Sequence, residues 1–279
     1  MSPAAPAVGW VGLGAIGLPM AARAASAGHR VLAWDPIAER CDAAAVAGVE
    51  IAADLAAIAA AAGDLVFCVV RDAGQVEEAL LGPGGALAPG GTGVAMSSVG
   101  AEAMRALAAR AAEHGARLLD APILGNPAGA EAGSLIVPLA GAADAKRAAR
   151  PVLDAFSASV LDVGERLGAA QVVKDVSQQV QIIGMIATIE GLALAAGEGV
   201  DEDLMLEVLE RTEPSWATAN WRYAHGLWEG ADPTTSLGLF AKDLAAAVAD
   251  GRAAGVDMPL TARAVELIAS RLGQSLYYE

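Results

Sequence analysis

The stretch VGWVGLGAIGLPMAARAASAGHRVLAWD, residues 8–35, decides the fold. It reads as a short apolar strand, a glycine-rich turn, an amphipathic helix and a second strand that ends on an acid. Gly12, Gly14 and Gly17 stand in G-x-G-x-x-G spacing. In that arrangement the first glycine permits a tight turn, the second lets the backbone come close to a pyrophosphate, and the third allows close packing where the helix begins. The helix N-terminus adds unpaired N–H groups and the positive end of the helix dipole. Three glycines alone carry little weight. The strand before them, the helix after them and an acid about 20 residues further on complete a dinucleotide-binding fingerprint.

The loop residues Gly12, Leu13, Gly14, Ala15, Ile16 and Gly17 are therefore candidate cofactor ligands. Asp35, at the tip of the second strand, suits an adenosine ribose 2′-hydroxyl, and its charge opposes a 2′-phosphate. This favours NAD over NADP, and Arg40 is the nearby cation that argues the other way. Working outward, AVGWV, RVLAW, DLVFCVV, GVAMSS, ARLLDA, SLIVPLA and SVLDV read as strands separated by alanine-rich helical segments, up to about residue 163. That alternation predicts a parallel α/β sheet with helices on both faces. From residue 165 the pattern is helical, with breaks at GEGVDED, TEPS, EGADPTTS and GVDMP. The expected fold class is α/β: a Rossmann-type nucleotide-binding domain over residues 1–163, and an all-helical C-terminal domain over 164–279 joined by a long helix.

Composition narrows the function classes. The 279 residues are 55% hydrophobic and carry a formal net charge of −15, with no run of Lys or Arg, so a nucleic-acid partner is not expected. Cys41 and Cys68 have no Cys or His neighbour at ligand spacing and read as small buried hydrophobes, so no metal site is expected. The segment VQIIGMIATIEGLALAAGEG is nearly long and apolar enough to span a membrane, but Gln181 and Glu190 interrupt it and a buried soluble helix is the expectation. The N-terminal residues lack a basic region ahead of the first strand, which points to the cytoplasm.

A second stretch, GAAQVVKDVSQQVQIIGMIATIEG at residues 168–191, poses a chemical question. The chain has 15 arginines and three lysines, Lys146, Lys174 and Lys242, so a lysine here needs a reason. Unlike arginine, a partly desolvated lysine can exchange its proton with a substrate. On a helix, Gln171, Lys174, Ser177, Gln178 and Gln181 form one polar stripe on an otherwise apolar rod. Either the stripe is solvated, or it faces a site in which Lys174 works as an acid–base with its pKa drawn towards neutrality.

These motifs resemble the β-hydroxyacid dehydrogenase family, which includes 3-hydroxyisobutyrate dehydrogenase and tartronate semialdehyde reductase, over essentially the whole chain. GLGAIGLPMA is similar to the family's N-terminal signature, LDAPILGNPAGAEAG to its substrate loop, GAAQVVKDVSQQ to its lysine segment, and FAKDLAAAV to its K-D-L segment. The resemblance implies NAD-linked oxidation or reduction of a small β-hydroxy acid or its semialdehyde, and a homodimer or homotetramer sharing the helical domain. It implies that Lys174 is the general acid–base, that Ser97 and Ser98 lie beside the nicotinamide, and that Lys242 and Asp243 close over cofactor and substrate. Three positions depart from the family pattern: Leu124 replaces a serine, Gln178 an asparagine and Thr235 an aromatic residue. The backbone of Gly125 and Asn126 and the amide of Gln178 are candidate holders of a substrate carboxylate. Leu124 supplies no hydroxyl, which favours a less polar substrate and makes an imine reductase the competing reading. A cofactor-binding module without catalysis is the third.

His29, His114 and His225 have no carboxylate or second histidine at ligand or triad spacing. Trp216, Trp221, Tyr223 and Trp228 crowd into SWATANWRYAHGLW and read as core or dimer packing, with a pocket wall as the alternative.

Overall fold

The computed structural model describes residues 7–212 and 236–271. Trp216, Trp221, Tyr223, His225, Trp228 and Thr235, singled out above, lie outside the described residues. The chain divides into two compact units, Met1–Lys174 and Asp175–Glu279.

In the first unit, β1 (Val8–Val11), β2 (Val31–Trp34), β3 (Glu50–Ile51), β4 (Leu65–Cys68), β5 (Thr92–Ala95) and β6 (Arg117–Asp120) form one sheet in the order β3-β2-β1-β4-β5-β6. All pairs are parallel. The helices between the strands are α1 (Gly17–Ser26), α2 (Ala38–Val46), α3 (Leu55–Ala62), α4 (Ala73–Leu81) and α5 (Ala101–Glu113). Strand order reverses between β1 and β4, which makes the crevice outside their C-terminal ends the ligand position of this topology. The two-residue strand β3 has no apolar run to reveal it in the sequence, and its residues are exposed at the sheet edge.

Side chains alternate between the two faces of the sheet, as the strand period demands. Trp10, Phe67 and Val94 belong to one buried cluster, while Val11, Val66, Cys68 and Ala95 belong to the other. On the first face Trp10 stacks on Phe67 with ring centroids 5.1 Å apart, and Phe156 meets both rings edge-on at 5.9 and 6.4 Å. Phe156 ends the segment after α7 (Ala143–Leu153), so this trio pins the last part of the unit to the centre of the sheet.

The remaining strands, β7 (Leu135–Leu139) and β8 (Ser157–Asp162), pair parallel in a separate two-stranded sheet. Single antiparallel bridges, Asp120 to Ala140 and Leu124 to Ile136, tie β7 back along the chain that leaves β6. Between them sits α6 (Pro127–Ala132), with Asn126 as its N-cap.

Helix α8 (Ala169–Gly197) begins in the first unit and continues into the second, where α9 (Glu202–Thr212), α10 (Ser236–Ala253) and α11 (Pro259–Arg271) follow. The second unit's core gathers Ile182, Met185, Ile186, Leu244, Ala264 and Ile268. By length and composition alone α8 is able to cross a membrane. Of the two readings of its polar stripe, the start of the helix follows the inward one. Gln171 and Lys174 are buried, while Val172, Val173, Val176 and Val180 are 42%, 38%, 52% and 69% exposed.

The aromatic trio gives a direct test of what closes the first unit. Phe156→Ala removes the edge-on partner of both rings and leaves a cavity, and we expect a loss of about 3–5 kcal/mol in urea unfolding. A loss under about 1 kcal/mol would mean that the trio is not a structural centre.

Candidate active site

The register of the sheet lines up its strand ends. Val11 pairs with Trp34 and with Cys68, Cys68 with Ala95, and Ala95 with Asp120. The chain therefore leaves β1, β2, β4, β5 and β6 along one edge, and Gly12, Asp35, Val69, Met96 and Ala121 begin there.

The glycine loop has two tight positions and one open one. Gly12 has φ +98°, and a Cβ there would lie 2.1 Å from the Val69 carbonyl oxygen. A Cβ on Gly17 would lie 2.2 Å from the Gly12 carbonyl oxygen. Around Gly14 nothing lies within 4 Å of a Cβ, which is the open approach a pyrophosphate needs. Ile16, the N-cap of α1, offers no side-chain cap to the first turn, so that turn suits an anionic group. Asp35 is 5% exposed. Its Oδ2 accepts from the Leu13 N–H at 2.8 Å and its Oδ1 from the Ile37 N–H at 3.0 Å, which locks the acid to the loop. Arg40 Nη1 stands 3.4 Å from both carboxylate oxygens. Loop, helix and acid together fit a dinucleotide. Half-buried Cys41 directs its thiol at the Asp35 carbonyl at 3.4 Å, so it is not the buried hydrophobe expected of it. Cys68 is wholly buried, its thiol pushed up to about 12 by that burial, and it is chemically inert.

After β5, Ser97 is buried and its Oγ accepts from the Val70 N–H at 3.1 Å, joining the β5 and β4 turns. Ser98 beside it is half-buried. After β6 comes the loop Ala121–Asn126. Lys174, 7% exposed, donates from Nζ to the Ile123 carbonyl at 2.7 Å. The lysine and the loop that the sequence separates by 51 residues are thus in direct contact. Leu124 is half-buried, with its backbone N–H given to Ile136 O at 2.9 Å. Gly125 has φ +138°, and a Cβ there would lie 2.6 Å from Leu135 Cδ2, so the loop turns where only glycine fits. Asn126 spends its Oδ1 on the Gly129 N–H at 2.8 Å.

Sequence reasoning placed Gln171 on the polar stripe and Asp120 only within a motif, and gave neither a task. Both are fully buried, and Asp120 Oδ1 accepts from Gln171 Nε2 at 2.8 Å. Burial pushes the Asp120 carboxyl above the usual carboxylate range, opposed by the hydrogen bonds from Gln171, Gly168 and Ala170. The signal that pointed to them was an acid closing an apolar strand and an amide one helical turn before the lysine.

In the second unit, Gln178 Nε2 donates to Asp243 Oδ2 at 3.1 Å, and Asp243 is buried while Lys242 is half-buried. Gln178 therefore gives one amide hydrogen to the protein, where the sequence suggested a substrate carboxylate. His29 contacts the Pro151 carbonyl, and His114 caps α5.

Residues 7–164 match the family described as the NAD binding domain of 6-phosphogluconate dehydrogenase, and residues 168–277 match the NAD-binding domain of NADP-dependent 3-hydroxyisobutyrate dehydrogenase. An NAD-dependent L-serine dehydrogenase of Pseudomonas aeruginosa is 30% identical over 270 residues, covering 93% of this chain and 90% of its own. An L-threonate dehydrogenase of Cupriavidus necator is 33% identical over 264 residues, covering 93% and 88%. Among solved structures, a Mycobacterium tuberculosis 3-hydroxyisobutyrate dehydrogenase with L-serine has a TM-score of 0.82 at 27% identity, covering 95% and 93% of the two chains.

Two glycines separate folding from binding. Gly12→Ala drives a Cβ into the Val69 carbonyl at a positive φ and should unfold at a clearly lower temperature, by about 5 °C or more. Gly14→Ala meets nothing, so it should melt like the wild type while NAD binding weakens by roughly tenfold or more. Unchanged NAD affinity in Gly14→Ala, measured by calorimetry, would remove the pyrophosphate from this loop.

Proposed function

This chain belongs to the β-hydroxyacid dehydrogenase family of NAD(P)-dependent enzymes, and we propose that it oxidises a small β-hydroxy acid, or reduces its semialdehyde, with Lys174 as general acid–base. The observation that carries this reading is the buried Lys174 amine, held at 2.7 Å by the Ile123 carbonyl in the loop after β6. Bound NAD supplies the acceptor for the substrate's hydride.

The protein's own part is placement and proton transfer. Gly14 and the first turn of α1 take the pyrophosphate, and Asp35 takes the adenosine ribose, with NAD preferred over NADP on the strength of its locked carboxylate. Ser97, Ser98 and Lys242 are assigned to the nicotinamide end. During oxidation Lys174 Nζ accepts the proton of the substrate hydroxyl as the carbonyl forms, and during reduction it returns a proton to that oxygen. Such a group contributes typically about 10²–10⁴-fold. The Ile123 carbonyl orients Nζ in either protonation state, since both the amine and the ammonium carry N–H donors.

Leu124, Gly125, Asn126, Gln178 and Asp243 are assigned to the substrate. Leu124 sets an apolar side chain where the family presents a hydroxyl, which also favours a second reading, imine reduction. Lys174 weighs against that reading, because proton transfer to a carbonyl oxygen gives the lysine a task. We assign residues 1–163 as the dinucleotide-binding domain, which also lends the Leu124–Asn126 loop to the substrate, and 164–279 as the helical domain of substrate binding and self-association, which lends Lys242 to the cofactor. The outward valines of α8 support a homodimer or homotetramer, since a row of exposed apolar side chains on one helix is stabilised by burial against a second copy. The enzyme is read as soluble and cytoplasmic.

Lys174→Arg keeps a cation of similar reach that cannot readily lose its proton, so kcat should fall on the order of 10²-fold while NAD affinity holds. Near-normal kcat with a raised KM would leave Lys174 a carboxylate anchor. Leu124→Ser should raise kcat/KM for 3-hydroxyisobutyrate and L-serine relative to bulkier hydroxy acids. An unchanged ratio would take Leu124 out of the pocket.

A further inference from the structure

We propose that Asp120 and Gln171 are positioning residues of the reaction, and that together they set where the Lys174 amine stands. The inference rests on the reading of Lys174 as the acid–base.

Asp120 is the last residue of β6, and its backbone is fixed on both sides: its N–H donates to Ala140 O at 3.0 Å and its carbonyl accepts from Ala140 N at 2.9 Å. Its carboxylate points at the start of α8. Oδ2 accepts from the Gly168 N–H at 2.8 Å and the Ala170 N–H at 3.1 Å, two donors that the first turn of a helix leaves without intrahelical partners. Oδ1 accepts from Gln171 Nε2. The same amide nitrogen reaches the Ser97 carbonyl at 3.3 Å, and Gln171 Oε1 accepts from the N–H groups of Val99 at 2.9 Å and Gly100 at 3.2 Å. The donors and acceptors of the Gln171 amide are thus spent on the turn after β5 and on the last residue of β6.

Lys174 stands three residues after Gln171 on the same helix face, and Ile123, which receives its amine, stands three residues after Asp120. The start of α8 is thereby held to the chain leaving β6 by two contacts, Asp120 with Gln171 and Ile123 with Lys174. A helix start held this way cannot slide or rotate without breaking buried hydrogen bonds, and buried polar groups stripped of partners are costly. Neither Asp120 nor Gln171 is exposed, so neither can meet substrate or cofactor. Their contribution passes through Lys174. A displacement of about 1 Å at such a group can cost on the order of 10²-fold in rate.

The test exploits the polarity of the pair. Gln171→Glu replaces the donor facing Asp120 with a carboxylate of the same shape, so that two carboxylates meet unless a proton bridges them. With L-serine and 3-hydroxyisobutyrate as substrates, kcat of Gln171→Glu at mildly alkaline pH should fall about tenfold or more, with NAD affinity unchanged. Relative to the wild type at the same pH, the activity should return as pH falls, because a proton shared by the two carboxylates restores a donor. Adding Asp120→Asn reverses the polarity of both partners and should recover most of kcat. On a Lys174→Met background, Gln171→Glu should change the residual rate by less than about twofold, since the residue it positions is gone.

A Gln171→Glu enzyme that melts earlier but keeps its kcat would overturn the proposal, leaving the pair a stability device. So would an equal loss of rate on both backgrounds. If Lys174→Met itself retains near-normal kcat, the acid–base reading fails first, and it is seen to fail separately. Should Gln171→Glu not fold, Gln171→Asn, one methylene shorter and uncharged, puts the same question: reduced kcat beside Lys174, and no effect without it.

Discussion

The constraint on which the rest of this structure depends is the common register of five parallel strands. Because Trp34, Val11, Cys68, Ala95 and Asp120 stand in one row across the sheet, the residues that follow them emerge together along one edge. Slipping one strand by a residue would turn its side chains to the other face and exchange the membership of the two cores. The Trp10, Phe67 and Phe156 contacts on one face, and the Val66, Cys68 and Ile58 packing on the other, oppose such a slip. Site geometry here follows from core packing. Asp35 reaches the Leu13 N–H, and Ser97 reaches the Val70 N–H, because the strands that carry them end side by side.

Much of this was legible in the sequence, and the reason is local. The glycine spacing, the strand before it and the acid after it are all contained in residues 8–35, and each has a physical duty that needs no distant partner. Strands with four consecutive apolar residues were equally visible. The two-residue edge strand β3 was not, since Glu50 and Ile51 are exposed and show no periodicity. Nor was the splitting of β7 and β8 into their own sheet, which depends on bridges between residues distant in sequence. At the site, Lys174 stood out by rarity, but its partner Ile123 contributes a backbone carbonyl and has no chemical signature. Asp120 looked like a substrate-loop residue and turned out to be a buried clamp, a distinction set by burial alone.

Helix α8 shows why periodicity needs context. Its pattern of polar residues three and four apart allows two readings, the wet face of an amphipathic helix or a stripe turned inward onto a site. In the folded chain the helix start takes the inward one: Gln171 and Lys174 face inward, and the neighbouring valines face outward. That arrangement is tolerable because each inward polar group meets a partner of matching character, a carboxylate, two backbone N–H groups or a carbonyl. The outward valines are the converse of that arrangement: they leave apolar side chains at the surface of the helix start.

The departures from the family pattern fall on one side of the chemistry. Gly12, Gly14, Gly17, Asp35 and Lys174 match the residues of the family's motifs, while Leu124, Gln178 and Thr235 depart from them at positions we assign to the substrate. In Gln178 the longer side chain of glutamine places its amide nitrogen 3.1 Å from Asp243, so one donor hydrogen is committed within the protein. Leu124 removes a hydroxyl, and Gln178 ties down part of an amide. On the proposed assignment, each leaves fewer donors for a substrate carboxylate. A site that recognises by hydrogen bonding rejects what cannot pair, whereas an apolar wall discriminates weakly by size. On the assignment proposed above, the two changes together would shift recognition from polar pairing towards shape, while the glycine loop, Asp35 and Lys174 keep the residues of the family's motifs.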